Sequence, residues 1–269
     1  MTKKKLFRIT KILLLIYGII GIGIYYLQEY LLFRPVVIAA NTPYQFSTPF
    51  EEMKIPMNNT TSISIVAFKT SMPPKGLVLY FHGNRTNIGR YARFAPNFTN
   101  KGYEVWMIDY PGYGKSTGKL SEAVLYKMAE QFYTLGRSRF SKDSIIIYGK
   151  SLGTGIAAWL ASRKDCKALI LETPYYSITS LAERYFPIYP IEELVHYKIP
   201  THSFLKNTSA PITIFHGTSD WVITYSNATR LIPSLKPGDQ FITIAGGGHH
   251  NLNTYPIFHQ KLDSILSVR

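Results

Sequence analysis

Read for the alternation of apolar and polar positions, the chain falls into three parts. A lysine-rich start, "MTKKKLFRITK", leads into an uncharged apolar run from Ile12 to Leu27, which Leu31, Leu32 and Phe33 prolong. At about 1.5 Å per residue, a helix of that length nearly crosses a bilayer. Residues 34–49 carry Pro and Asn and no period, which predicts a juxtamembrane linker. From residue 50 the pattern changes to short apolar runs separated by amphipathic ones. "SISIVAFKT", "GLVLYFHG", "YEVWMIDYPG", "SIIIYGKS", "KALILETP", "PITIFHG" and "QFITIAGGGHH" predict strands. "NIGRYARFAPNFTNKG", "LSEAVLYKMAEQFYTLGRS", "TGIAAWLASRK" and "YPIFHQKLDSILS" predict the helices between and after them. Near-continuous apolar strands that alternate with helices imply an α/β fold, a mostly parallel sheet covered on both faces.

Ligands of such sheets gather at the carboxyl ends of the strands. His82, Asp109, Ser151, Glu172, His216 and His249 all fall at or just beyond those ends. Between Thr173 and Asn207 the chain inserts a stretch rich in Tyr, Phe and Pro, longer than an ordinary connection. It predicts a small cap over residues 175–206, with Tyr175, Tyr176, Tyr185 and Phe186 lining an apolar pocket. A surface excursion packed on the core is the alternative.

Two stretches, "GKSTG" at 114–118 and "GKSLG" at 149–153, set a serine between glycines. Ser116 lies in a Pro/Gly-rich loop with no strand directly before it. Ser151 follows "SIIIY" and precedes a helical run, and a sharp strand-to-helix turn is what lifts a nucleophilic hydroxyl above a sheet. Gly149 and Gly153 leave room for adjacent backbone, and the helix start offers free N–H groups to an oxyanion. A helix cap is the competing role for Ser151. A phosphate-binding loop is excluded by spacing, because the glycine it needs five residues before Gly-Lys is Ser144 in one copy and Asp109 in the other.

A serine hydroxyl needs a base, and the base needs an orienting acid. Asp220 in "HGTSD" and His249 in "GGGHH" follow strands in that order after Ser151. His250 is the alternative base, and Asp109 and Glu172 are alternative acids; His216 reads as a turn residue. The backbone N–H groups of Asn84, in "FHGN", and of Leu152 are the expected oxyanion donors. The reaction needs no metal and no organic cofactor.

Composition refines this picture. The 30 Lys and Arg exceed the 16 Asp and Glu, a net charge of +14 over 269 residues, and six of those cations lie in the first 34 residues. The excess is spread out after Lys5, without zinc-finger or RNA-binding signatures, so it fits anionic headgroups better than nucleic acid. Cations before the apolar run place the N-terminus in the cytoplasm and the rest of the chain on the extracytoplasmic side. A cleaved signal peptide would need a small-x-small site where the chain reads "YYLQEY". The single cysteine, Cys166, precedes an apolar run and reads as structural.

The motifs "HGN" at 82–84, "DYPGYGKS" at 109–116, "GKSLG", "HGTSD" and "GGGHH" together resemble the α/β-hydrolases over residues 50–269. "YGKSLGTG", "LETPYYSI" and an N-terminal apolar segment followed by "QEYLLFRP" are similar to membrane-anchored hydrolases of the serine-aminopeptidase-like group. The resemblance implies an anchor over residues 1–33 and an α/β-hydrolase fold with a cap. It also implies a Ser151–Asp220–His249 triad working through an acyl-enzyme on a small-molecule or lipid acyl substrate. A peptidase of the same fold and a non-catalytic binding scaffold are the competing readings. The few cap carboxylates, Glu183, Glu192 and Glu193, favour esters over peptides.

Overall fold

A computed structural model describes residues 2–267. Helix α1 (Lys3–Leu32) is followed by a short strand β1 (Arg34–Pro35), then β2 (Phe50–Pro56), β3 (Ser62–Phe68), β4 (Gly76–Phe81) and β5 (Arg85–Thr86). The predicted helix after β4 breaks into α2 (Ile88–Tyr91), a 3-10 turn, and α3 (Pro96–Thr99), because Pro96 interrupts the helical hydrogen bonding. There follow β6 (Tyr103–Ile108), α4 (Glu122–Arg137), β7 (Ile145–Lys150), α5 (Gly153–Ala161) and β8 (Ala168–Glu172). The insertion after β8 folds as α6 (Ile178–Tyr185), α7 (Ile191–Leu194) and α8 (Thr201–Lys206). Strand β9 (Ile212–Gly217), α9 (Tyr225–Thr229), β10 (Gln240–Ile244) and α10 (Pro256–Ser267) complete the described chain.

Eight strands form one sheet in the order β10-β9-β8-β7-β4-β6-β3-β2. Strands β4 and β6 to β10 run parallel, and β2 and β3 make an antiparallel edge. Strand β2 was not expected from the sequence. It alternates half-buried Phe50, Met53 and Ile55 with exposed charged residues, as an edge strand does. Side chains on successive positions of the central strands serve two cores. Leu77, Leu79, Phe81, Ile145 and Ile147 pack in one with residues of α4, α5 and α8, while Val78, Tyr80, Ile146 and Tyr148 pack in the other with Phe258, Leu262 and Leu266 of α10.

The segment expected to be a linker is tied to the body. Arg34 pairs with Arg85, Ile38 N–H donates to Gly114 C=O at 2.8 Å, and Tyr44 and Phe46 join the aromatic cluster of Phe50 and Phe68. Helix α1 is exposed over most of its length, yet Ile24, Gln28 and the following Phe33 are buried. Ile24 packs with Ile191 and Val195 of the insertion, and Phe33 meets Tyr197 edge-on.

Candidate active site

The strand ends converge on Ser151. This residue follows β7 directly and holds a left-handed backbone, φ 52°, which is costly for a side-chain-bearing residue and marks the tight turn. Its N–H donates to Glu172 C=O at 2.9 Å, and its C=O accepts from the Thr154 hydroxyl at 2.6 Å, so the turn is held from both sides. A Cβ on Gly149 would lie 2.6 Å from Thr154 Cα, and one on Gly153 would run into the Phe81 carbonyl; only glycine admits the strand-to-helix crossing.

Ser151 Oγ lies 2.9 Å from His249 Nε2, and His249 Nδ1 lies 2.7 Å from Asp220 Oδ2. The other carboxylate oxygen of Asp220 accepts the N–H groups of Val222 and Ile223, both at 2.9 Å. Asp220 and His249 are buried. A carboxylate held by two backbone N–H groups fixes the Nδ1 edge of the imidazole and leaves Nε2 to the serine. Sequence reasoning named these three residues, and the structure brings them together.

The alternatives are occupied elsewhere. His250 is exposed and meets His249 edge-on; desolvation, then His249, Lys150, Arg90 and Arg85, push its pKa down to about 4. Asp109 is bound by His82 Nε2 at 3.1 Å and the Ile88 N–H at 2.9 Å. Glu172 is buried against the Lys150 ammonium and accepts the Tyr148 hydroxyl at 2.5 Å. Ser116 Oγ donates to Asp109 C=O and accepts from the Ser64 N–H, both at 2.8 Å, which is a structural role. Burial lowers the pKa of His216, and Asp220 and Gly217 only partly oppose that, so it stays a neutral neighbour with Nε2 3.7 Å from Asp220. Desolvation, with Asp165 beside it, pushes the Cys166 thiol up to about 12, far from a reactive thiolate.

The carbonyl of Asn84 accepts from Arg34 N–H and the Tyr113 hydroxyl, and its side-chain amide donates to Leu32 C=O at 3.1 Å. Among the described residues, the backbone N–H of neither Asn84 nor Leu152 donates to a protein acceptor. Both residues line the space beside Ser151.

That space is a cavity of about 450 Å³. Tyr175, Tyr185 and Phe186 line it as expected, together with Leu181, Val195 and Trp221. Tyr176 does not: its ring stacks on His202 at 4.0 Å and carries the Arg230 guanidinium on top, so its place in the expected pocket is corrected. Sequence reasoning missed a whole wall, because Ile24, Gln28, Leu31 and Leu32 of α1 also line the cavity. Gln28 explains the fit. It is buried, its amide donates to Tyr25 C=O at 2.8 Å and Leu194 C=O at 3.2 Å, and its carbonyl accepts from His196 N–H at 2.6 Å. Glu29 accepts from the Tyr197 hydroxyl at 2.9 Å. Two polar side chains at the end of an apolar helix were the signal for this contact.

A family model described as "Serine aminopeptidase, S33" matches residues 72–204, which include Ser151 and stop short of Asp220 and His249. The alpha/beta hydrolase domain-containing protein 17C of Xenopus tropicalis is 31% identical over 193 residues, 71% of this chain and 61% of that protein. The human protein 17B is 28% identical over 210 residues, 76% of this chain and 71% of that protein. The chain thus spans about three-fifths of the length of the first of these relatives. Among solved structures, an esterase of Pyrococcus furiosus superposes with a TM-score of 0.68 at 17% identity, covering 87% of this chain and 97% of that one. A soluble variant of monoglyceride lipase from Saccharomyces cerevisiae gives 0.64 at 15% identity, covering 85% and 98%. Identities that low speak for the fold alone. Sheet order, strand-to-helix turn and structural neighbours agree that the chain has the α/β-hydrolase fold, and its sequence is similar to alpha/beta hydrolase domain-containing proteins.

Proposed function

We propose that the protein is a membrane-anchored serine hydrolase that cleaves acyl esters or thioesters through an acyl-enzyme. The observation that carries the reading is the relay from Ser151 Oγ through His249 to Asp220, set at the mouth of an apolar cavity. In this reading Ser151 Oγ attacks the acyl carbon while His249 Nε2 takes its proton, and Asp220 holds the imidazole and stabilises its charged form. The N–H groups of Asn84 and Leu152 receive the oxyanion. The bond from the acyl carbon to the leaving oxygen or sulfur breaks, and His249 returns the proton to the leaving group. Water then repeats the sequence and frees Ser151. The acyl chain lies in the cavity between the insertion, read as a cap, and α1.

Two observations support esters over peptides. The cavity lining holds no carboxylate among the described residues to receive a substrate amine, and aliphatic and aromatic side chains dominate it. Helix α1 is long and apolar enough to cross a membrane. We read it as an anchor with its basic end in the cytoplasm and the hydrolase body outside.

The test is fluorophosphonate labelling of membranes that carry wild-type protein, Ser151→Ala or Ser116→Ala. Label lost only from Ser151→Ala is the expected result. Labelling that survives in a folded Ser151→Ala protein would sink the assignment. A screen of acyl esters by chain length then defines the substrate.

A further inference from the structure

Beside Ser151, adjoining the large cavity, lies a second, narrow cleft. Arg85, Arg90, Arg93 and Lys150 line it, with Asn84, His249, His250 and Ser151 itself. The two spaces meet at Asn84, Arg85, Ser151, His249 and His250. The reacting hydroxyl therefore stands at the boundary between an apolar chamber and a cationic one.

The charges in this cleft are not balanced. Lys150 is paired with buried Glu172. Arg85, Arg90 and Arg93 take part in none of the ion pairs among the described residues, and no carboxylate lines the cleft. All three arginines are exposed and reach it from residues 85–93, the segment that follows Asn84. Arg85 and Arg90 are close enough for His250 to feel both together with Lys150, and the Arg93 guanidinium lies over the Phe94 ring, which also lines the cleft. Guanidinium groups present planar, paired donors that suit phosphate oxygens. A cluster lacking carboxylate partners beside a nucleophile is a counter-charge waiting for a ligand.

We propose that this cleft binds a phosphate group on the leaving alcohol, so that the substrate is an acyl ester with an anionic, phosphate-bearing head. The inference rests on the acyl-hydrolase reading and adds its substrate class. The acyl chain occupies the apolar cavity, the ester carbonyl sits at Ser151, and the phosphate is held by Arg85, Arg90 and Arg93. When the ester breaks, the phosphorylated alcohol leaves on the cationic side with the proton from His249.

Binding and turnover test the two readings separately. The full-length Ser151→Ala protein in neutral detergent micelles is titrated with dodecyl phosphate, dodecylglycerol and inorganic phosphate. Dodecyl phosphate is expected to bind at least tenfold more tightly than either of the others, and Arg85→Gln/Arg90→Gln should erase that preference. In otherwise wild-type protein, the same double substitution should lower the kcat/KM ratio of a lysophosphatidylglycerol over a monoacylglycerol at least tenfold, mainly through KM. Equal binding of dodecyl phosphate and dodecylglycerol overturns the phosphate site. Inorganic phosphate binding as tightly as dodecyl phosphate would make the cleft a free-anion site and overturn the substrate assignment. A ratio unchanged by the double substitution, in protein of unaltered Tm, would mean that the arginines serve the bilayer surface and not the substrate. Alkyl phosphate that binds through the arginines, with no ester of either kind turned over, would leave the anion site standing and remove the hydrolase reading.

Discussion

Ser151 and Ser116 occupy the same five-residue pattern, and their hydrogen bonds separate them. Ser151 offers its hydroxyl to an imidazole, whereas Ser116 spends both hydrogen-bonding capacities on backbone groups of Asp109 and Ser64. Ser116→Ala is thus expected to leave the buried Ser64 N–H without a partner and cost about 1–3 kcal/mol of stability, while fluorophosphonate labelling persists. Urea unfolding of the variant checks it, and a midpoint equal to wild type would contradict the structural role. The histidines near the site make a second prediction. His216 is held below its ordinary value by burial, and His250 is pushed down to about 4, so the unfolded chain binds protons more readily than the folded one. Stability is then fully present above the unfolded histidine value of about 6.5 and is lost as pH falls through that value toward 4. Tm should decline across that window, and His216→Gln should flatten part of the decline. A Tm unchanged between neutral pH and pH ~5 would show that these groups do not couple to folding.

At the scale of elements, what the sequence disclosed depended on how local each signal was. Strands β4, β7, β8 and β9 are buried throughout, and their continuous apolar runs bounded by glycine or charge could be read directly. So could the turn at Ser151, directly after β7, and the loop carrying Asp220, just beyond β9, while His249 was marked by the three glycines before it after the less buried β10. Strand β2 escaped because an edge strand with one exposed face reads like a polar connection. The pocket escaped in part because two of its walls are distant in sequence. Tyr176 lies within the insertion but turns to His202, while Ile24, Gln28, Leu31 and Leu32, over 140 residues before it, complete the cavity from α1. Helix α1 thus forms a wall of the cavity beside Ser151. Its C-terminal end adjoins Asn84, and Ile24 stands eight residues, or about 12 Å, back along the axis, the reach of a medium-length acyl chain. Ile24→Trp should fill the far end of the cavity and lower kcat/KM for long-chain relative to butyryl esters about tenfold. Gln28→Leu should strand the His196 N–H and the Leu194 carbonyl, loosen α1 from α7 and blunt chain-length selectivity. Profiles across ester lengths decide this, and a uniform fall for all esters would argue that α1 only supports the fold.

For the molecule as a whole, the contact between α1 and the insertion would fix the depth of any bilayer that α1 crossed. The ring of Tyr189 stacks on that of Tyr17 at 4.4 Å, and the Tyr17 hydroxyl donates to Ile188 C=O at 3.2 Å. Tyr17 lies within the apolar run that begins at Ile12. A hydrocarbon core of about 30 Å needs roughly 20 helical residues, and the few between Ile12 and Tyr17 cannot supply them. If α1 spans, residues beyond Tyr17 are also in the bilayer, and the tip of the insertion goes in with them. Its sequence permits this: "YFPIYPI" at 185–191 carries no charge, Ile188 is 72% exposed, and Trp221 at the cavity mouth is 73% exposed. Immersion would open the cavity sideways into the acyl region and leave Arg85, Arg90 and Arg93 at headgroup level, where tryptophan also prefers to lie. Tryptophan emission in proteoliposomes tests the arrangement, since Trp106 and Trp159 are buried and Trp221 alone is exposed. Trp221 should be quenched by lipids brominated close to the headgroup, and the indole added by Ile188→Trp by lipids brominated toward the chain ends. If neither lipid touched the emission added by Ile188→Trp, the tip would lie in water, and α1 would then run along the membrane surface and not cross it.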